Sequence, residues 1–157
     1  GREPSFLLFH CIKAPQGGGE TTFVDAEKLW DLASEEERKI WEKTSLTLTT
    51  EKKAHYGGTV TVPMISRHPV NGHPTVRYAE PVVTELNPMT VRIEGATAEE
   101  EKLFVKEMYT KLYNDQVYYA HQWQDGDFLI ADNHALLHGR TAFADNSPRQ
   151  VRRSTKR

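Results

Sequence analysis

Apolar residues in this chain fall in short runs cut by turn residues towards both ends of the sequence, while helical periodicity is confined to the middle. This distribution limits the fold more than any other feature. The run from Phe6 to Ile12, closed by Ala14-Pro15-Gln16-Gly17-Gly18-Gly19, reads as a buried strand and then a loop in which glycine permits unusual backbone angles. Ala26, Leu29, Trp30 and Ala33 follow at helical spacing. Ser34 with Glu37 forms a capping box for a second helix, expected to bury Ile40 and Trp41. A third helix is expected from about Thr97 to Asn114, capped by Thr97 and Glu100, with Phe104, Met108 and Leu112 on one side.

Between these helices, Leu46 to Tyr56 reads as a strand leading into a mobile loop. Asn71-Gly72, between the extended segments around His68 and Tyr78, signals a hairpin. The last third is strand-like: Gln116 to Trp123, Phe128 to Ala131 after the Asp125-Gly126-Asp127 turn, and a segment around Arg149 to Thr155. Strands at both ends with helices between them fit an antiparallel barrel or jelly roll flanked by helices better than a doubly wound parallel sheet. No glycine-rich phosphate loop precedes a helix, which argues against nucleotide chemistry.

With 157 residues, 38% of them hydrophobic, the chain is expected to form a single domain over residues 1–157. Twenty basic against 22 acidic residues leave a net charge of -2, so no global field favours nucleic acid or an anionic membrane. A small molecule is the expected partner. The single cysteine, Cys11, rules out an internal disulfide framework and suits a reducing, cytoplasmic location. No apolar run reaches the length of a membrane span.

Of seven histidines, His134 and His138 are four apart, a spacing that on a helix would suit a zinc hydrolase. No glutamate follows His134, and the flanking pattern is strand-like. The segment Trp123-Gln124-Asp125-Gly126-Asp127-Phe128-Leu129-Ile130-Ala131-Asp132-Asn133-His134-Ala135-Leu136-Leu137-His138-Gly139-Arg140, followed by Arg149, Arg152 and Arg153, resembles the C-terminal signature of taurine dioxygenase-like (TauD/TfdA) enzymes. Ala14 to Asp25, with Gly18-Gly19-Glu20-Thr21, resembles the proline- and glycine-rich turn of the same family.

The resemblance implies a mainly β fold with flanking α-helices, a double-stranded β-helix of the cupin-like jelly-roll kind. It implies Fe(II) as cofactor and 2-oxoglutarate as cosubstrate, with molecular oxygen and a small, anionic substrate as partners. His138 would be the distal iron ligand, Arg149 would grip the far carboxylate of 2-oxoglutarate with Thr21 beside it, and Arg153 would meet an acidic group of the substrate. Such centres hold iron by two histidines and a carboxylate, and an arginine fork suits a carboxylate. The cosubstrate would be decarboxylated to succinate and CO2 as a C–H bond of the substrate is oxidised.

Other readings stand beside these. Thr21 equally fits a cap for the helix starting near Asp25. The arginines fit a solvated basic edge, although strand alternation places Arg149, Val151 and Arg153 on one face and Arg152 on the other. Trp123 reads as core, Arg140 as half of a structural salt bridge, and Asp132 with Asn133 as shaping a turn. The loop from Lys52 to Met64, with Tyr56, reads as a lid, and Tyr78 as a second source of substrate contacts. No histidine is followed two residues later by Asp or Glu, so the family's H-x-[DE] ligand pair is not in this sequence. The chain is therefore expected to be the C-terminal part of a larger oxygenase domain, the alternative being a non-catalytic jelly-roll binding module. Strand edges left by a missing part would favour association, which keeps a homo-oligomer among the expected partners.

Overall fold

The computed structural model describes residues 4–50, 58–83, 88–142 and 148–156. In chain order its elements are β1 (Phe6–Lys13), β2 (Thr21–Asp25), α1 (Ala26–Asp31), α2 (Glu35–Lys43), β3 (Ser45–Thr50), β4 (Gly58–Pro63), β5 (Ile65–Arg67), β6 (Pro74–Val76), β7 (Met89–Ile93), α3 (Ala98–Leu112), β8 (Tyr118–His121), β9 (Phe128–Asp132), β10 (Leu136–Arg140) and β11 (Gln150–Lys156). The chain separates into two compact units, one made of Gly1–Asp25 with Asp115–Arg157 and the other of Ala26–Asn114.

The first unit consists of two three-stranded antiparallel sheets, ordered β11-β1-β9 and β10-β2-β8. This is the mainly β, jelly-roll architecture expected. In β1 the side chains alternate, and Leu7, Phe9 and Cys11 are buried. They pack with Phe23 of β2, Ala131 of β9 and Trp123 in one core, with Phe9 edge-on to Phe23 at 6.2 Å. Each fully buried aromatic or aliphatic side chain contributes about 1.5–3 kcal/mol relative to exposure.

A turn at Asp125-Gly126-Asp127 holds the end of β1. Asp127 O accepts the Cys11 amide at 2.8 Å and Gly126 N–H donates to Cys11 O at 2.9 Å. Asp125 takes the Ala14 amide and the Lys13 ammonium, each at 2.7 Å. Gly126 has φ 92°, a left-handed conformation that disfavours side chains. The Asp-Gly-Asp triplet is thus a clamp between the two chain segments that make the unit.

The second unit contains the sheet β4-β3-β7, the pair β5-β6 and the three helices. Both expected capping boxes are formed, Ser34 with Glu37 on α2 and Thr97 with Glu100 on α3. Met108 and Leu112 are buried along α3. The hairpin turn carries Gly72 at φ 73° between β5 and β6.

Several expectations need correction. Trp41 is buried but Ile40 is 59% exposed, because α2 is only nine residues long and buries one narrow stripe. The stretch read as a lid is strand β4 over Gly58–Pro63, paired with β3 residue for residue from Ser45 to Thr50, and Met64 is fully buried. The rest of that loop, with Tyr56, lies outside the described residues. Three further strands, β2, β7 and β10, went unread.

Candidate functional site

β2 carries the first site residue. Thr21 is not a helix cap: it opens a strand, opposite His121 of β8 on one side and Arg140 of β10 on the other. The turn before it has Gly18 at φ 67° and Gly19 at φ 71°, consecutive left-handed positions that β-carbons would strain. Gly19 N–H donates to Ala142 O at 3.0 Å, and the Glu20 and Thr141 backbones pair across the same junction. Thr141 also donates its hydroxyl to the Glu20 carboxylate, which lowers the Glu20 pKa. The start of β2 is therefore tied to the end of β10.

β10 carries His138, in register with Phe23. Its ring lies edge-on to Phe9, centroids 6.4 Å apart. One side of His138 faces solvent, while burial of the rest and then the positive charge of Arg153 push its pKa below the ordinary 6.5. The shift favours the neutral imidazole, the form that has a lone pair to give a metal. Before it, Asp132 accepts the amides of His134 and Ala135 at 2.8 and 3.3 Å, and Asn133 donates to Pro4 O at 2.9 Å. The Asp-Asn pair shapes the turn as expected, and neither His134 nor His138 is helical.

Arg149 precedes β11, and Val151 and Arg153 follow on the same side of the strand. These three line an open cleft of 410 Å3 together with Thr21, His138, Gly139, Arg140 and Phe9. Arg152 faces away, opposite His10 in the register. Alternation along one strand thus brings two guanidinium groups to the cleft and keeps the third out. Arg149 donates its Nε–H to Gly19 O at 3.0 Å. Burial, and then the charge of Arg140, lowers its pKa, although a guanidinium stays protonated regardless. Among the described residues no carboxylate lines the cleft, while Arg140, Arg149 and Arg153 do, a lining that suits an anion.

Thr21 is 3% exposed, and its Oγ accepts from the Trp123 indole at 3.0 Å. Trp123 is a core residue, as read, and also a hydrogen-bond partner of the site, which was not read. His121 stands edge-on to its ring at 4.5 Å and pairs through Nε2 with Asp127 at 3.1 Å. Phe9 and Gly139 also went unread as cleft residues; only strand alternation in β1 and β10 could have shown them. Tyr78 lies in the other unit, buried with its ring 6.2 Å from Phe104. Its hydroxyl has no partner among the described residues, and burial, with Glu80, raises its pKa to about 12.

No group of three or more His, Cys, Asp or Glu side chains among the described residues is arranged to hold a metal ion. What the described residues of the cleft offer a metal is one imidazole, that of His138, beside guanidinium groups suited to a carboxylate ligand. These residues fit part of an iron and 2-oxo acid centre: one protein ligand and the anion grip.

Residues 2–155 match the model of the taurine catabolism dioxygenase TauD, TfdA family. The chain is 46% identical over 155 residues to 3-((Z)-2-isocyanoethenyl)-1H-indole synthase of Fischerella ambigua, covering 96% of this chain and 57% of that protein. It is 36% identical over 156 residues to tyrosine isonitrile desaturase of Pseudomonas aeruginosa, covering 96% and 53%. The crystal structure of PvcB from Pseudomonas aeruginosa superposes with a TM-score of 0.78 at 33% identity, covering 98% of this chain and 51% of that one. A second PvcB structure, described as an Fe, alpha-ketoglutarate dependent oxygenase from an isonitrile synthetic pathway, gives a TM-score of 0.77 at 32% identity and covers 98% and 52%. The chain spans about half the length of the relatives it matches. With the family model covering nearly every residue and the fold shared with PvcB, the chain belongs to the TauD/TfdA dioxygenase family.

Proposed function

We propose that residues 1–157 are the C-terminal part of a larger jelly-roll oxygenase domain that uses Fe(II) and 2-oxoglutarate to oxidise a small anionic molecule. The observation that carries this reading is the convergence of Thr21, His138, Arg149 and Arg153 on one cleft, which has no carboxylate among the described residues. His138 contributes one iron ligand; the other two belong to an H-x-[DE] pair elsewhere in the polypeptide. Iron, when bound, supplies the activation of oxygen for attack on a C–H bond.

This chain's residues bind and orient. Arg149, its Nε held by Gly19 O, presents its remaining N–H groups to the distal carboxylate of 2-oxoglutarate, and the Thr21 hydroxyl adds a donor. Arg153 pairs with an anionic group of the substrate and adds its charge to the burial that lowers the His138 pKa. The balance is 2-oxoglutarate, O2 and substrate C–H to succinate, CO2 and an alcohol. For a desaturation, two hydrogens leave the substrate and water is the further product.

The relatives named as an isocyanoethenyl-indole synthase and a tyrosine isonitrile desaturase suggest the substrate class. We take it to be an isonitrile derived from an aromatic amino acid, its carboxylate opposite Arg153. The same relatives disfavour a non-catalytic binding module. A cytoplasmic location accompanies this reading, the lone and buried Cys11 being suited to a reducing compartment.

Anaerobic titration of Fe(II) and 2-oxoglutarate into the complete gene product tests the proposal through the visible metal-to-ligand charge-transfer band. The band is expected in the parent and weakened in Arg149→Ala. A complete, folded protein without the band sinks the oxygenase reading.

A further inference from the structure

Thr21 has a hydrogen-bonding polarity that the cleft geometry makes consequential. An indole N–H can only donate, so the 3.0 Å contact from Trp123 Nε1 uses Thr21 Oγ as acceptor. The hydroxyl proton must then be donated elsewhere. Among the described residues it meets no acceptor, although Thr21 is 3% exposed and lines the cleft. A buried donor without an acceptor is costly and rare, so the cleft's ligand is expected to supply one.

We propose that Trp123 is a positioning residue that commits the Thr21 hydroxyl to donating into the cleft, making this end of the site selective for a carboxylate over its neutral amide. The inference rests on reading the cleft as the 2-oxoglutarate site. A carboxylate accepts only, matching the Thr21 hydroxyl and Arg149 at once. An amide carries an NH2 group that faces donors on both sides. The ring that imposes this polarity is itself fixed, by Phe9 at 6.3 Å and by His121, which Asp127 pins in turn. Trp123 and Asp127 of the Trp-Gln-Asp-Gly-Asp segment thus act at the site through Thr21 without entering the cleft.

The test measures binding of 2-oxoglutarate and of its 5-amide, 2-oxoglutaramate, to the complete iron-loaded protein by anaerobic calorimetry, with no turnover. Trp123→Phe keeps a ring and removes the N–H. In that variant the freed hydroxyl can accept from the amide, so the preference for the acid is expected to fall roughly 3–10-fold. Thr21→Val, close in shape to threonine, should lose a similar factor, and adding Trp123→Phe to it should change the preference no further. A tryptophan that merely fills the core weakens both ligands equally, and an unchanged acid-to-amide ratio in a folded Trp123→Phe variant overturns the proposal. If that variant does not fold, replacing Trp123 with benzothienylalanine, a close isostere without the donor, answers the same question. Failure of the wild type to bind 2-oxoglutarate sinks the reading of the site instead, a result distinct from either.

Discussion

A β-carbon on residue 139 would stand 2.9 Å from the Thr22 hydroxyl oxygen. Gly139 and Thr22 face each other across β10 and β2, and threonine is stiff about χ1, so relief requires it to leave its rotamer at a cost of about 0.5–1.5 kcal/mol. Gly139→Ala is expected to lower stability by about 1 kcal/mol in urea unfolding. Because His138 is the preceding residue, Fe(II) affinity should fall as well. Thr22→Ala should restore most of the stability, and additivity of the two substitutions would show that the contact is not the cause. Arg149→Lys is the sharper residue-scale change. Lysine keeps the charge but has no fork and no Nε to meet Gly19 O. Its 2-oxoglutarate affinity in calorimetry is expected to lie nearer Arg149→Ala than wild type, and near-wild-type binding would mean that charge alone suffices.

The same logic of paired local groups governs the helices. In α2, Ser34 accepts the Glu37 amide at 3.2 Å and Glu37 accepts the Ser34 amide at 2.8 Å, while Lys111 of α3 pairs with the same carboxylate. Ser34→Ala is expected to cost about 1 kcal/mol in denaturant unfolding. Lys111 is the first cause of the lowered Glu37 pKa, followed by the capping bonds against a cost of burial. A carboxylate lowered in the folded state adds stability fully above its ordinary value of 4.5, and loses it as pH falls through the folded value. Glu37→Gln should therefore lose stability at neutral pH and lose less than wild type on acidification to about pH 3. These helices were legible because a capping box and its amphipathic stripe span only a few residues. β2, β7 and β10 were not, since each is held by partners far along the chain. Thr21 looked like a cap for this reason. The arginine face was legible, because alternation is local once β11 is assigned. The role of Trp123 was not, because its bond to Thr21 joins residues 102 apart.

Sequence separation also orders the assembly of each unit taken by itself. In the unit of Ala26–Asn114, β3 pairs with β4 nearby in sequence and with β7 further on, as in Leu46 with Val62 and Ile93. In the other unit, Phe6 pairs with Lys156 and Thr21 with Arg140, so its sheets form only when segments from the two ends of the chain meet. Closing a loop costs about (3/2)RT ln n, so tenfold greater separation adds roughly 2 kcal/mol before any contact repays it. Topologies dominated by such pairings fold slowly. Pulsed hydrogen exchange during refolding is therefore expected to protect the amides of β3 and β4 before those shared by β1 and β11. The Asp125-Gly126-Asp127 clamp on Cys11 should appear with the later set, since it too joins the two ends. Simultaneous protection of both sets would show instead that the units acquire their structure in a single cooperative step.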